Sequence, residues 1–462
     1  MNESASSCPS PMASRQLLNR RHLLARAGCG FGMVGLTAML QQQGLLEQAT
    51  ASDLGADRSL NPLAPREGHF PAKAKHVIWI FVNGGPSHVD TWNYRPELTK
   101  WNGKSIRDFD PEFKNTTGFF KNSVGNLMQS PFKFTPQGES GKMVPEIFPH
   151  LGKHVDKMAF LLSGHTESNN HSPALFAMNT GMPRMGFPCL GSWATYGLGS
   201  ESSNLPGFVV MSDPQGRGLP KGHAANWSAG FLPGVYQGTY LRPNGQPIDN
   251  LVRPQQLGDA GQRRQLDLIN TLNQSHLEKN SADGELAARI ESFELAFRMQ
   301  TAAPEAMDIA AEPKHVQELY GVGDDRCDHF AKQCLMSRRL IERGVRFVQI
   351  YSGGMENQRS WDGHRDIEGN HRQFAGETDQ PVAGLLSDLH QRGLLDETLV
   401  VWCGEFGRLP IAQTGAKPGR DHNPHCFCAW LAGAGVKGGM DYGSSDEIGF
   451  RAADDKVHVN DL

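Results

Sequence analysis

The stretch from Leu399 to His425 reads LVVWCGEFGRLPIAQTGAKPGRDHNPH and indicates both the fold and the position of a site. Its first five residues, which end at Cys403, are all apolar. An uninterrupted apolar run is typical of a central strand in a parallel sheet that helices cover on both faces. Open parallel sheets bind ligands beyond the carboxyl ends of their strands. We therefore expect Glu405, which follows this strand after one glycine, to lie in a site.

Other predicted strands end in similar loops. Apolar runs at Lys75–Val82 (KHVIWIFV), Met158–Ser163 and Val345–Tyr351 predict three of them. Strands and helices alternate through the second half of the chain, which predicts a doubly wound α/β domain with these strand ends at one edge. The side chains that follow these strands, and that we expect at this edge, are Ser87, Asp90, His165, His171, Ser172, Asp362 and His364.

The loops mix carboxylates with imidazoles, which points to a metal site. This donor set suits zinc, manganese or iron better than calcium, which prefers a shell of oxygens. We therefore predict a divalent metal ion as cofactor, zinc or manganese rather than calcium. The predicted ligands are Asp90, Asp362, His364, Glu405, His422 and His425.

Some of these candidates have a structural alternative. Asp90 either binds the metal ion or caps the segment that follows the first strand. A helix is predicted to begin near Ser172, whose hydroxyl is either a nucleophile in the positive field of the helix N-terminus or an N-cap before Pro173. His171 occupies the same region, so His171 and Ser172 are the candidate catalytic residues.

Three further segments have patterns of their own. Val144–Leu151 resembles the start of a helix, and Thr378–Gln391 predicts a helix with Pro381 in its first turn. Residues 214–247 form a long stretch rich in glycine, proline and aromatic residues. A loop of this length either faces a substrate or packs on the surface.

Composition and the N-terminus limit the partners and the location. The formal net charge is −4 and the isoelectric point is near 6.5, whereas nucleic-acid-binding proteins usually carry a basic excess. Arg20 and Arg21 precede an apolar run and a small-residue cleavage site, which is the pattern of a twin-arginine export signal. The run is shorter than the ~20 residues of a membrane-spanning helix. We predict a signal in residues 1–51, a linker in 52–74 and an α/β domain in 75–462 that acts in the periplasm or outside the cell.

Several stretches resemble one family across nearly the whole chain. They are NRRHLLARAG near the N-terminus, GGPSHVDTW after the first strand, RGVRFVQIY, and TLVVWCGEFGR with GRDHNPH in the opening stretch. On these motifs the sequence resembles the domain of unknown function 1501 family, which is similar in turn to the alkaline phosphatase and sulfatase superfamily. That resemblance implies a three-layer α/β sandwich with a mostly parallel central sheet, long loop insertions and a metal-bound phosphoester or sulfoester site.

The superfamily's motifs map onto this chain with changes. The sulfatase nucleophile falls on His171, from which no formylglycine can form, and the Asp-His-Gly motif falls on residues 405–407, which read Glu-Phe-Gly. Asp362 with His364 resembles the Asp–His pair of metal-dependent phosphatases. The family usually continues beyond Leu462, so the resemblance implies that a closing C-terminal segment is missing from this sequence.

These observations predict an exported metal-dependent hydrolase of sulfate or phosphate esters that works without formylglycine. Its substrate is a small-molecule or glycan ester, and polysaccharides are suggested by the family's setting and by the aromatic loop. The alternative is a non-catalytic metal- or glycan-binding protein on the sulfatase scaffold. The two hypotheses differ in whether the acid and histidine loops converge on one point and in whether bound metal brings ester turnover.

Overall fold

The structure is a computed structural model of the chain, and it describes residues 62–113, 124–213, 215–242, 248, 251, 258–279 and 284–462. The predicted export signal and the first part of the predicted linker lie outside the described residues. The described residues all belong to one unit of the chain, Ser59–Leu462. Within them, no helix combines the length and the apolar character that crossing a membrane requires.

The described part of the chain contains strands of two to eight residues. The strands are β1 (His76–Val82), β2 (Val124–Leu127), β3 (Phe134–Gln137), β4 (Lys142–Pro145), β5 (Met158–His165), β6 (Phe208–Met211), β7 (Thr239–Leu241), β8 (Phe347–Ser352), β9 (Thr398–Cys403), β10 (Gly407–Gln413), β11 (Arg420–Asn423), β12 (Phe427–Ala432), β13 (Met440–Tyr442), β14 (Ser444–Ser445), β15 (Ala452–Asp454) and β16 (Val457–His458).

In the described residues the α-helices lie between β1 and β9 along the chain. They are α1 (Glu97–Lys100), α2 (Ile106–Phe109), α3 (His171–Thr180), α4 (Leu190–Leu198), α5 (Asp259–Lys279), α6 (Gly284–Met307), α7 (Lys314–Tyr320), α8 (Asp328–Ile341) and α9 (Ile367–Gln391). Short 3₁₀ segments, such as Leu151–Lys157, join some of the elements.

The central sheet determines where the strand ends lie. Its strand order is β13-β5-β12-β9-β1-β8-β6-β7, and β16 also pairs with β5. β1 is parallel to β8 and β9, and β6 is parallel to β8 and β7. β12 is antiparallel to both β5 and β9, so β5 runs in the same direction as β9. The carboxyl ends of β1, β5, β6, β8 and β9 therefore meet at one edge, together with the amino end of β12.

Side-chain alternation along β1 divides the core into two layers. Ile78, Ile80 and Val82 pack into one hydrophobic cluster with buried side chains of α8 and α9. Trp79 and Phe81 point to the other face and pack into a second cluster with side chains of α3. Successive side chains of a strand face opposite sides of its sheet, so helices cover both faces. The predicted three-layer α/β fold with a mostly parallel central sheet is confirmed.

Two predictions of secondary structure were wrong. Residues 144–151 do not begin a helix, because Val144 belongs to β4, which pairs with β3 in a hairpin, and the 3₁₀ segment starts only at Leu151. The helix predicted from Thr378 begins at Ile367 instead, since the Asp366 carboxylate accepts a hydrogen bond from the Gly369 amide at 3.1 Å and caps it. Pro381 therefore lies inside α9, where a local reading of the sequence would place a helix start.

Candidate metal centre

Four acid and histidine side chains meet at the carboxyl edge of the sheet. They come from three places: His171 is the first residue of α3, Asp362 and His364 lie in the loop after β8, and His422 lies on β11. One potential ligand atom from each lies within 4.8 Å of those of the other three. We call these four residues the triple-histidine cluster.

Local structure explains how these residues reach the same point. The Asn170 side chain accepts a hydrogen bond from the Ser172 amide at 3.3 Å, so Asn170 is the N-cap of α3 and His171 begins its first turn. His422 stands opposite Arg408 in the antiparallel pair of β10 and β11. Directly opposite residues of an antiparallel pair present their side chains on one face. Both side chains therefore reach Asp362. Arg408 lies 2.6 Å from its Oδ1 atom, and His422 Nε2 lies 3.4 Å from the same atom.

The spacing of the four ligand atoms suits a single ion. His364 Nε2 lies 2.9 Å from His422 Nε2 and 3.0 Å from Asp362 Oδ1. His171 Nε2 lies 3.3 Å from Asp362 Oδ2. Tetrahedral ligands with bonds of ~2.0–2.2 Å to zinc lie ~3.3 Å from one another. The three separations given, which involve both oxygens of Asp362, are close to that value.

Each imidazole also has an oxygen acceptor at its Nδ1 atom. His171 Nδ1 lies 2.6 Å from Glu405 Oε1, His364 Nδ1 lies 2.9 Å from Gln413 Oε1, and His422 Nδ1 lies 2.6 Å from the Asn169 carbonyl oxygen. A carbonyl or carboxylate can only accept, so it fixes the proton on Nδ1 and leaves Nε2 to bind a metal ion. His171 Nε2 is buried and has no hydrogen-bond partner among the described residues. The three Nε2 atoms thus converge as a set of ligands would.

The Asp362 carboxylate of the cluster and the Glu405 carboxylate beside it are each held by hydrogen bonds from other groups of the protein. The Gly84 amide donates to both oxygens of Glu405, at 3.0 and 3.2 Å. Gly84 has a φ of 107°, and a Cβ there would lie 2.5 Å from the Asp362 nitrogen, so only glycine fits. Arg408 and the Asn357 amide, at 2.8 Å, each donate to a different oxygen of Asp362. Each Asp362 oxygen keeps lone-pair capacity on the side of the histidines.

Burial makes the charges of the cluster depend strongly on each other. Burial raises the pKa of Asp362, but the Arg408 guanidinium and the three histidines beside it outweigh burial and hold that pKa far below its usual value. Burial lowers the pKa of His171, but the neighbouring carboxylates of Asp362 and Glu405 raise it to about 9. Burial, with the charges of His171 and Arg408, lowers the pKa of His422 well below normal. The surroundings therefore favour a positive charge at His171, between the carboxylates of Asp362 and Glu405. They also keep His422 neutral.

The donor set fits a divalent transition metal. Three imidazoles and one carboxylate are typical ligands of zinc, and manganese and iron accept the same groups. His171 would release a proton when it joins such a set. The set contains too few oxygens for calcium. The cluster forms one wall of a cavity of about 250 Å³. Its lining residues are Asn170, His171, Lys221, Glu356, Asn357, Asp362, His364 and His422.

Three other predicted ligands lie outside the cluster. Glu405 is next to it and contacts His171 through the Nδ1 atom. Asp90 is fully buried, and its carboxylate is bound by Arg420 at 2.7 Å and by the Ser87 hydroxyl at 2.6 Å. His425 is partly buried and packs against Phe450. The Asp90 carboxylate is thus neutralised by the protein itself.

The candidate catalytic residues differ in their positions. His171 lines the cavity, whereas Ser172 does not. His165, at the end of β5, packs against His458 and is not part of the cluster. Sequence reasoning did not single out Arg408, although it is the one charged residue directly after the Glu-Phe-Gly motif, and that position was a usable signal. No sequence pattern pointed to Lys221 or Glu356.

A second buried group of acids and a histidine lies elsewhere. Asp213, His329 and Glu377 also bring potential ligand atoms within 4.8 Å of one another. Arg217, however, pairs with Asp213 at 3.0 Å and with Glu377 at 2.6 Å. We call these four residues the Arg217 cluster. Its guanidinium already supplies the positive charge that a metal ion would bring.

The fold and the triple-histidine cluster define an α/β protein with a candidate metal centre at the carboxyl edge of its sheet. The chain belongs to the family described as "Protein of unknown function (DUF1501)", whose match spans residues 74–462. This confirms the family resemblance seen in the sequence. No curated protein sequence matches the chain.

Three solved structures illustrate what the chain is similar to. Alkaline phosphatase from the Antarctic bacterium TAB5 is 9% identical with a TM-score of 0.32, covering 82% of this chain and 96% of that one. The lipoteichoic acid synthase LtaP from Listeria monocytogenes is 9% identical with a TM-score of 0.31, covering 88% and 81%. The PsFucS1 sulfatase from Pseudoalteromonas sp. is 12% identical with a TM-score of 0.30, covering 81% and 66%. The family description assigns no activity, so a function has to be argued from the site.

Proposed function

We propose that the protein is an exported metal-dependent hydrolase of sulfate or phosphate esters that acts without a formylglycine nucleophile. The observation that supports this most is the convergence of three imidazole Nε2 atoms and the Asp362 carboxylate on a cavity of about 250 Å³. A divalent ion held there, zinc or manganese, would neutralise charge on an ester oxygen and lower the pKa of water.

The protein's own groups would hold this centre in place. Glu405, Gln413 and the Asn169 carbonyl orient the three imidazoles through their Nδ1 atoms. Arg408 and the Asn357 amide fix Asp362. Such supporting hydrogen bonds set the direction and basicity of the ligands. Ligand positions fixed before the ion binds also reduce the entropy lost when it does.

The same geometry supports water as the nucleophile. His171 uses Nδ1 to contact Glu405 and presents Nε2 to Asp362, so we propose that it is a metal ligand and not the attacking group. The Ser87 hydroxyl donates to Asp90 and is fully buried. Ser172 is not among the residues that line the cavity.

Export is part of the proposal and rests on residues 1–51 alone. The paired Arg20 and Arg21 are the feature that a twin-arginine transporter would recognise. Replacing both by lysine should leave the protein in the cytoplasm of a host with this transport system, because lysine keeps the charge but removes the guanidinium groups. Cell fractionation followed by immunoblotting would measure this. Equal export of the two forms would contradict the proposed signal.

The enzymatic proposal is tested by measuring metal and turnover on the same preparations. The purified protein, loaded with Zn²⁺ or Mn²⁺, should hold a single ion per chain by elemental analysis and should hydrolyse aryl sulfates or aryl phosphates. His422→Ala should lose both properties, because it removes one of four ligands. The matched control is His425→Ala, which removes a histidine outside the cluster and should change neither.

Two results would overturn this proposal. Absence of stoichiometric metal from the loaded protein would rule out the proposed centre. Bound metal without turnover across a broad panel of esters would favour the non-catalytic metal- or glycan-binding protein. Aryl sulfates, aryl phosphates and sulfated polysaccharides together cover the substrate classes under consideration.

A further inference from the structure

We infer that a second cavity binds an oxyanion, and we assign Arg95 and Lys142 as the residues that bind it. This cavity, which we call the Arg95 cavity, has a volume of about 300 Å³ and is lined by side chains of β4, β5 and β13 among others. Its lining shares no residue with that of the cavity at the triple-histidine cluster. The site can therefore be present whether or not the protein is a hydrolase.

Arg95 is a partly buried cation that has no acceptor in the described part of the chain. Its Nε atom is buried without a hydrogen-bond partner, and its guanidinium forms no ion pair with a described residue. Arg95 also lines an adjoining cavity of about 520 Å³. Buried donors nearly always have a partner, which is protein, water or a bound group. A guanidinium offers five N–H donors in one plane, an arrangement that matches an oxyanion.

Acids do lie near Arg95, but they do not supply this acceptor. Burial lowers the pKa of Arg95, and the nearby acidic groups oppose that effect through their charges without outweighing it. These groups are Cys426, Asp446, Asp441 and Glu447. The Asp441 carboxylate binds Lys142 instead, at 2.6 Å. The Asp446 carboxylate accepts two backbone amide hydrogen bonds, at 2.6 and 3.1 Å, and Glu447 is exposed to solvent.

Lys142 supplies the second cation of the Arg95 cavity. Its side chain is only 9% exposed, and its Nζ atom lies 2.6 Å from Asp441 Oδ1 and 4.2 Å from the centre of the Phe160 ring. Asp441 uses one of the three N–H donors of the ammonium group, and the described residues offer it no other acceptor. Burial lowers the pKa of Lys142, and the charge of Arg95 lowers it further. An anion bound near both cations would reduce their repulsion.

Aromatic side chains complete the cavity and indicate the size of its ligand. Trp92 is fully buried, and its Nε1 donor also has no acceptor in the described part of the chain. Tyr94 is 38% exposed and lines both cavities, so a ligand whose oxyanion reaches Arg95 can lay its body against this ring. Ligand pockets commonly measure ~300–1,000 Å³. The Arg95 cavity therefore suits a small oxyanion, either free or carried by a single sugar-sized body.

Calorimetric titration of the purified protein tests this site. The probes are inorganic sulfate, inorganic phosphate and glucuronate, with glucose as the uncharged control. We expect at least one of the three anions to bind and glucose not to bind. Tightest binding of glucuronate would identify an organic acid as the source of the oxyanion, and tightest binding of sulfate or phosphate would identify the free ion. Absence of binding for all three anions would overturn the inference.

Variants of the two cations locate the bound anion. Arg95→Met keeps much of the aliphatic stem and removes the donors, so it should weaken binding by about 10- to 100-fold. Lys142→Met should also weaken binding. Arg264→Met removes an exposed arginine of α5 that lines neither cavity, and it should bind the anion as the wild type does. Unchanged affinity in both Arg95→Met and Lys142→Met would overturn the assignment.

Thermal unfolding of Arg95→Met distinguishes a lost ligand from a damaged fold. Because the Arg95 guanidinium has no partner among the described residues, the variant should unfold at the temperature of the wild type when no anion is added. A bound anion raises the unfolding temperature of the wild type, and this increase should be absent from Arg95→Met. An anion-induced increase of the same size in both proteins would contradict the proposed site.

The variant His422→Ala separates this site from the metal centre. It should bind the anion as tightly as the wild type, because the two cavities share no lining residue. Anion binding that is lost in His422→Ala and kept in Arg95→Met would place the anion at the metal centre and overturn the inference. Anion binding that depends on Arg95 in a protein that holds no metal would contradict the proposed hydrolase and leave the Arg95 cavity standing.

Discussion

The triple-histidine cluster and the Arg217 cluster contain the same kinds of residues but offer different chemistry. In the first, three imidazole Nε2 atoms converge, and Arg408 contacts Asp362 while also donating to carbonyl oxygens of Gly85 and Arg420. In the second, the Arg217 guanidinium bonds to both carboxylates. Among the described residues, no guanidinium bridges two carboxylates in the first group, whereas in the second group Arg217 does. Proximity of acids and histidines therefore does not by itself identify a metal site.

The largest expected effect is on the stability of the fold and comes from removing the Arg217 guanidinium. Arg217→Met leaves Asp213 and Glu377 buried without their guanidinium partner, and loss of one partner of a buried ion pair typically destabilises a fold by about 3–5 kcal/mol. Urea denaturation would measure the change in the free energy of unfolding. The metal content of the folded variant should stay the same, because the triple-histidine cluster is untouched. Full stability of this variant, or loss of its metal, would contradict the distinction between the two clusters.

Acid should weaken the Arg217 cluster through Glu377. Burial raises the pKa of Glu377, but hydrogen bonds from His329 and Arg217 outweigh it and lower the pKa to about 2. A carboxyl whose pKa is lower in the folded state stabilises the fold at high pH, and this contribution is lost as pH falls from about 4 to 2. The full contribution is about 3 kcal/mol.

The variant Glu377→Gln isolates this titration from all others. The difference in unfolding free energy between the wild type and Glu377→Gln should be largest at neutral pH and should shrink as the pH drops below about 4. Glu397→Gln, in an exposed pair, is the control and should show a small difference at every pH. If the difference in unfolding free energy between the wild type and Glu377→Gln stayed the same from pH 7 to pH 3, this explanation would be wrong.

A smaller effect is expected behind the triple-histidine cluster. Glu405→Gln keeps the shape of the side chain but removes the charge that faces His171 Nδ1 at 2.6 Å. Loss of such a supporting carboxylate typically lowers metal affinity by about 10- to 100-fold. Competition with a chromogenic chelator would measure the affinity, and Gln413→Leu should have the weaker effect because it removes a neutral acceptor. Equal metal affinities in the wild type, Glu405→Gln and Gln413→Leu would mean that these contacts do not tune the ligands.

The sequence was sufficient to predict the sheet but not all of the site. The apolar runs that became β1, β5, β8 and β9 are long, and glycines or polar residues end each of them, so their ends were readable. The same reasoning predicted His171, Asp362 and His364 in loops that follow strands, whereas His422 lies on a strand of its own, β11. The start of α9 was misread, since Pro381 resembles a first helical residue and the cap at Asp366 is set by a single side-chain hydrogen bond.

What the sequence could not supply was the partner of each charged residue. Asp90 looks like a metal ligand until Arg420, 330 residues later, neutralises it. His422 lies on β11 and His425 follows that strand by two residues, so the sequence does not separate them. Of these two, His422 is the one that contacts Asp362. Arg408 with Asp362, and Lys221 with Glu356, are likewise ion pairs between residues far apart in the sequence. These contacts depend on loop conformations, which local patterns do not encode.

The most direct test of the metal centre is a crystal structure of the zinc-loaded protein with anomalous scattering measured at the zinc edge. The account predicts a strong anomalous peak ~2.0–2.2 Å from an oxygen of Asp362 and from Nε2 of His171, His364 and His422. A peak between Asp213 and Glu377, or no peak at the triple-histidine cluster in fully loaded protein, would contradict it.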